Sequence, residues 1–148
     1  MPLPGWRFLA VTIVTAIGFI SSVGAHAHQI RAGDLTIVHP SVAATEVGAS
    51  TALVRFSIEN HGSRSDSLMA ASTPVADRVQ FRHNSGATED PCNLIPISAR
   101  DTVTIAPGKY EVLLVGLTKS LEAWSSFPMT LKFEHQGEVQ IEVMVEEQ

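Results

Sequence analysis

The alternation of apolar and polar residues is the feature that most constrains the fold of this chain. Between residues 51 and 59 every second side chain is apolar, which is the period of a strand with one buried face. Short runs of this kind recur about every 8–12 residues between Pro-, Gly- and Asn-containing turns. No helical period is sustained beyond residue 27. The pattern therefore predicts an all-β fold, an antiparallel β-sandwich or barrel of about eight or nine strands.

The predicted strands form one domain, since no linker-like or repeated segment divides them. The polar, turn-rich stretch from residue 82 to residue 91 is predicted to be a loop, and a hairpin turn is expected at residues 135–137. The predicted strands cover residues 35–38, 51–59, 68–72, 79–81, 94–97, 102–105, 110–117, 128–134 and 138–145.

The first 27 residues differ from the rest of the chain. They carry one charge, Arg7, followed by an apolar run at residues 8–20 and small residues up to Ala27. This order is typical of a secretory signal peptide, so the sequence predicts a cleaved leader at 1–27 and a domain at 28–148. The alternative is a membrane anchor, but the apolar core of about 13 to 16 residues is shorter than the roughly 20 that a spanning helix needs. No permanent membrane anchor is expected.

Two histidines stand at the predicted cleavage points. Cleavage after Ala25 would give a chain that begins at His26, whose amine, two backbone amides and the His28 imidazole suit a square-planar Cu(II) or Ni(II) site. Cleavage after Ala27 would give a chain that begins at His28, with an amine and one imidazole as a two-nitrogen chelate. The alternative is a frayed terminus that binds no metal.

Composition excludes several classes of function. With 10 basic and 15 acidic residues, the chain has a formal charge of −5 and lacks the basic surface that nucleic acid requires. A single cysteine excludes a disulfide framework and any multi-Cys metal cluster. The chain also lacks the G-x-S-x-G, P-loop, H-E-x-x-H and G-x-G-x-x-G motifs. We therefore expect a protein that is not an enzyme.

The chain resembles a known family along nearly all of the predicted domain. Nine segments carry the resemblance, in consistent order along the chain: residues 31–40, 57–62, 66–68, 71–74, 76–79, 105–110, 115–117, 131–134 and 137–139. Together they resemble the periplasmic copper chaperones of the PCu(A)C type. The resemblance implies a cupredoxin-like β-sandwich in the periplasm, copper as the bound metal, and a copper-receiving partner such as cytochrome oxidase.

The resemblance also implies where copper would bind, and there the chain departs from the family. The family uses two His and two Met, but Arg82, Glu111 and Leu113 stand at three of these positions. Arginine has no lone pair to offer and Cu(I) prefers soft sulfur donors, so the site is predicted to be degenerate. We expect a charge-assisted bond between Arg82 and Glu111 across the former site.

Other donors leave a second interpretation open. His83 follows Arg82 and faces the opposite side if the strand continues, yet it could turn toward the site with Cys92 if the strand ends there. The candidate metal ligands are therefore His26, His28, His83 and Cys92. Two functions remain: an exported copper-chaperone-like protein, and a metal-free family member that acts as an accessory protein-binding module.

Overall fold

The computed structural model describes residues 28–148, so the predicted signal peptide and His26 lie outside the described residues. This part of the chain forms strands connected by turns, and it contains no helix long and apolar enough to span a bilayer. The strands are β1 (Gln29–Ala32), β2 (Leu35–Ala43), β3 (Thr51–Asn60), β4 (Asp66–Ser72), β5 (Ala76–Asn84), β6 (Glu89–Cys92), β7 (Ile95–Ile97), β8 (Thr102–Ile105), β9 (Tyr110–Leu117), β10 (Ser126–Phe133) and β11 (Gly137–Glu146).

All nine strands predicted from the alternation are present, and β1 and β6 are additional. The prediction of a loop over residues 82–91 is wrong, because β5 continues to Asn84 and β6 pairs back along it. Three of the four residues of β6 are exposed and the fourth is half-buried. A strand with no fully buried position lacks the alternation that marks its neighbours, which is why the sequence pattern does not reveal it.

The strands form one nearly closed sheet in the order β6-β5-β9-β8-β3-β2-β11-β10-β4-β7, with β1 paired to β2. The end strands β6 and β7 follow each other in the chain, and β4 contacts β5 across the seam of the barrel. The all-β prediction is confirmed. The pairing departs from the antiparallel prediction at β2–β11 and β8–β9, which are parallel.

The inward-facing side chains form a single apolar core. In β3 the alternating residues Val54, Phe56 and Ile58 are buried, as the sequence pattern predicts. The centre of β9 differs, because residues on both of its faces are buried: Val112 and Leu114 face the core, while Glu111 and Leu113 face away from it. The outer face of β9 is therefore covered by other parts of the chain, and this cover forms the walls of a cavity.

A buried carboxylate joins the C-terminal hairpin to the start of β4. Asp66 is 8% exposed and accepts hydrogen bonds from the backbone N–H groups of Ser67 at 2.7 Å, His135 at 2.9 Å and Gln136 at 3.0 Å. The predicted turn at residues 135–137 is confirmed between β10 and β11. Because the charge of Asp66 is met by three donors, its burial is compatible with a stable fold.

Candidate metal centre

Register in the sheet brings Arg82, Glu111 and Leu113 to one face. Arg82 lies directly opposite Glu111 in the β5–β9 pair, and Leu113 follows on the same side of β9. They line a cavity of about 660 Å³ on the outer face of the sheet, together with Arg55 and Glu89. The three positions that the resemblance singled out therefore converge, as a metal site would require.

The prediction of an ion pair between Arg82 and Glu111 is wrong. A guanidinium N–H of Arg82 instead donates to Glu89 Oε2 at 2.7 Å, and Glu111 Oε1 accepts the backbone N–H of Gly108 at 3.1 Å. Within residues 28–148, no ion pair joins Arg82 to Glu111. The physical reason is the unpredicted strand β6, which returns Glu89 beside Arg82 and offers it a partner nearer the solvent.

The donors at this face do not fit copper. Among the described residues that line the cavity there is no His, Met or Cys. Glu111 is a hard oxygen donor and is 5% exposed, while Arg82 presents a cation whose Nε is buried without a hydrogen-bond partner. A fixed positive charge and hard oxygen atoms disfavour Cu(I), whose preferred ligands are soft sulfur atoms.

His83 points away from this face. Strand β5 continues past Arg82 to Asn84, so His83 takes the opposite side and lies across from Tyr110. The two rings are stacked with centroids 4.6 Å apart and an interplanar angle of 27°. The prediction that His83 faces the opposite side if the strand continues is confirmed. His83 therefore does not join Cys92 in a metal site at the face that carries Arg82 and Glu111.

Cys92 lies on β6 opposite Phe81, half-buried at the seam of the barrel. It shares a cavity of about 350 Å³ with Met69, whose side chain is partly exposed. Burial raises the pKa of the Cys92 thiol above its ordinary value. Within residues 28–148, no three His, Cys, Asp or Glu side chains lie close enough together to hold a metal ion.

The raised pKa of Cys92 gives a testable expectation. At neutral pH the folded protein should react with iodoacetamide more slowly than the urea-unfolded chain, measured by intact mass. The unfolded thiol ionises at a lower pH than the folded one. The free energy of unfolding should therefore fall, relative to Cys92→Ser, as the pH rises above about 8.5. Equal alkylation rates in the folded and unfolded protein would contradict the expectation.

His28, one of the predicted metal ligands, lies opposite His39 at the open end of the β1–β2 hairpin. The backbone N–H of His39 donates to the carbonyl oxygen of His28 at 2.8 Å, one step beyond the Gln29–Val38 pair. His39 has a φ of 52°, at an irregularity of β2 between Val38 and Ser41. His39 Nε2 lies 2.7 Å from Glu146 Oε1. Both His28 and His39 are exposed.

Sequence reasoning missed His39 as a partner of His28, although a signal was present. The β1–β2 pairing joins Ala32 to Leu35 across a turn made by Gly33 and Asp34. Gly33 has a φ of 57°, which suits such a turn. Pairing the residues outward from this turn leads to His28 and His39.

Known proteins resemble the whole described domain. Residues 35–145 match the LpqE-like lipoprotein family. The copper-bound PCuAC domain from PmoF2 is 30% identical with a TM-score of 0.73, covering 82% of this chain and 99% of that one. The apo PCuAC domain from PmoF1 is 28% identical with the same TM-score, covering 82% and 100%. No curated protein sequence matches the chain.

A more distant structure agrees on the fold. The solution structure of Cu(I)-DR1885 from Deinococcus radiodurans is 21% identical with a TM-score of 0.64, covering 84% of this chain and 83% of that one. The expectation of a PCuAC-type, cupredoxin-like fold is confirmed, and structures of that fold include copper-bound forms. The family match spans most of the chain, from β2 to β11, and this protein therefore belongs to the LpqE-like family of PCuAC-type proteins.

Proposed function

We propose that this protein is an exported copper-binding protein that carries Cu(II) at the N-terminus of its mature domain and delivers it to a partner. The observation that carries the proposal is the 2.8 Å hydrogen bond from the His39 N–H to the His28 carbonyl, which joins the backbones of two histidines. The copper-bound PmoF2 domain, similar over almost its whole length, supports copper as the cargo. The arginine and carboxylates of the outer-face cavity argue against Cu(I) there.

The chemistry requires removal of the leader after Ala27. Cleavage there frees the amine of His28, which can chelate Cu(II) together with the His28 imidazole. His39 supplies a third nitrogen from the neighbouring strand, and Cu(II) favours tetragonal nitrogen sites of this kind. The proposed ligand set therefore consists of two imidazoles and the terminal amine, since no three His, Cys, Asp or Glu side chains of residues 28–148 group around a metal position.

Export and delivery rest on separate grounds. The leader-like residues 1–27 and the match to a lipoprotein family support export. The side chain of His39 is 58% exposed, so a partner can reach a metal bound to it. A periplasmic receiver such as cytochrome oxidase is implied by the family resemblance, and no catalytic step is assigned to the protein.

Cleavage after Ala25 instead would give a different site. The His26 amine, two amides and the His28 imidazole would then surround Cu(II), and His39 would have no part in binding. His39 therefore distinguishes the two modes, because it is a ligand only when the chain begins at His28.

The test uses the protein exported with its own leader, whose N-terminus is identified by mass spectrometry. His39→Ala should weaken Cu(II) binding by more than roughly 100-fold, since losing a ligand should cost more than the 10–100-fold typical of outer-shell partners. Binding is measured by competition with a chelator, and electron paramagnetic resonance counts the coordinated nitrogens. His61→Ala is the matched control, because His61 is also exposed and also lies beside a glutamate, Glu59, at 3.2 Å.

Three results are informative. Loss of affinity in His39→Ala and not in His61→Ala supports the proposal. Strong Cu(II) binding unaffected by His39→Ala, in a chain that begins at His26, contradicts the His28 mode. Absence of copper binding in the exported protein would favour the metal-free accessory module, for which the Arg82–Glu89 ion pair at the degenerate copper position is the supporting observation.

A further inference from the structure

We propose that Glu146 is a positioning residue for copper, which holds the His39 imidazole in the tautomer and orientation that a metal ligand needs. The inference rests on the proposed function, since it concerns the same site. Glu146 lies 107 residues from His39 in the sequence, yet its Oε1 is 2.7 Å from His39 Nε2. Among the described residues, Glu146 forms one ion pair, and its partner is His39.

The backbone holds Glu146 in place for this contact. At its C-terminal end, β11 runs parallel to β2, with Met144 beside Ser41 and Glu146 beside Ala43. The carbonyl oxygen of Glu146 accepts the backbone N–H of Ala44 at 2.8 Å. The carboxylate thus starts from a fixed point on the sheet and reaches back along β2 to His39.

The hydrogen bond sets which imidazole nitrogen is free. An ionised carboxylate only accepts hydrogen bonds, so Nε2 of His39 carries the proton and donates a hydrogen bond to Glu146 Oε1. In the neutral ring, Nδ1 then keeps its lone pair for a metal. Carboxylates commonly orient metal-binding histidines in this manner and raise their basicity.

The contribution of the His39–Glu146 pair to folding stability is too small to explain why the two side chains are paired. The side chains of His39 and Glu146 are 58% and 38% exposed, and exposed pairs contribute about 0–1 kcal/mol to folding. Arg55 lines the same cavity of about 320 Å³ as His39 and Glu146, but among the described residues Arg55 forms no ion pair with Glu146. Glu146 bonds the imidazole instead, which is consistent with a role in orienting His39.

The first measurement needs no metal. Nitrogen-15 NMR of the exported, copper-free protein, at a pH where the spectrum shows that the His39 ring is neutral, reports the tautomer of that ring. Wild-type His39 should be almost entirely protonated on Nε2, and Glu146→Ala should give a mixture of tautomers. Glu146→Gln, which keeps an acceptor oxygen, should restore much of the wild-type pattern. Glu147→Gln is the control for the loss of one neighbouring charge.

The second measurement uses Cu(II) on the same variants. Glu146→Ala should weaken binding roughly 10–100-fold and change the electron paramagnetic resonance spectrum, while Glu147→Gln should do neither. An unchanged His39 tautomer in Glu146→Ala would overturn the inference, and so would a released tautomer with unchanged copper affinity. Failure of the wild-type protein to bind copper through His39 would instead sink the proposed function, whatever the tautomer.

Discussion

The triple variant Arg82→His, Glu111→His and Leu113→Met should bind one Cu(I) ion at the outer face of β5 and β9, more than about 100-fold more tightly than the wild-type protein does at this face. Arg82 and Glu111 are directly opposite, and Leu113 follows Glu111 on the same side of the strand. The substitutions replace a fixed cation, a hard carboxylate and an alkyl group with two imidazoles and a thioether. Cu(I) favours such donors, and added ligands should exceed the 10–100-fold effect of outer-shell groups.

The measurement is a Cu(I) competition against a chromophoric chelator in a His39→Ala background, which removes the proposed terminal site. Leu113→Met alone is the control, because it adds the sulfur without the imidazoles. Circular dichroism checks that the variants keep the β-fold. A folded triple variant that binds no more Cu(I) than Leu113→Met would show that the face cannot be converted by exchanging donors.

Asp66→Ala should lower the free energy of unfolding by more than about 4 kcal/mol, because it removes three hydrogen bonds to a charged group, each contributing roughly 1.5–3 kcal/mol. The substitution removes the acceptor of three backbone N–H groups, those of Ser67, His135 and Gln136. The change is large against the roughly 5–15 kcal/mol total stability of a typical domain.

Urea unfolding at neutral pH measures the effect. The control is Asp101→Ala, which removes an exposed carboxylate with a single backbone hydrogen bond, from Thr102 at 2.8 Å. We expect the control to cost less than about 1 kcal/mol. A loss below about 1 kcal/mol in Asp66→Ala as well would contradict the role assigned to the buried carboxylate.

Local patterns predicted the central strands of this fold and missed its polar edge. Strand β3 is predictable because buried and exposed residues alternate along it. The C-terminal hairpin is predictable because two alternating segments flank the turn before Gly137. Strand β6 carries the sequence Glu-Asp-Pro-Cys and has no fully buried position. Its formation depends on pairing with β5, which is information that a single short segment does not contain.

The candidate sites were likewise predicted only in part from the sequence. The resemblance placed Arg82, Glu111 and Leu113 at related positions, and strand register does bring them to one face. The partner of Arg82 was mispredicted because it depends on β6, the strand that was missed. The His39–Glu146 contact joins residues 107 apart, and no local pattern could have indicated it.

The two end strands of the sheet carry a consequence for how other proteins can bind. Strands β6 and β7 are four and three residues long, and each contains a proline, Pro91 and Pro96. Proline has no N–H to donate, and short, proline-containing edges resist the addition of a foreign strand. Addition of a partner strand (β-augmentation) is therefore unfavourable at β6 and at β7, and these two edges resist edge-to-edge aggregation. At β6 and β7, a partner protein would therefore have to bind through side-chain contacts and not by adding a strand to the sheet.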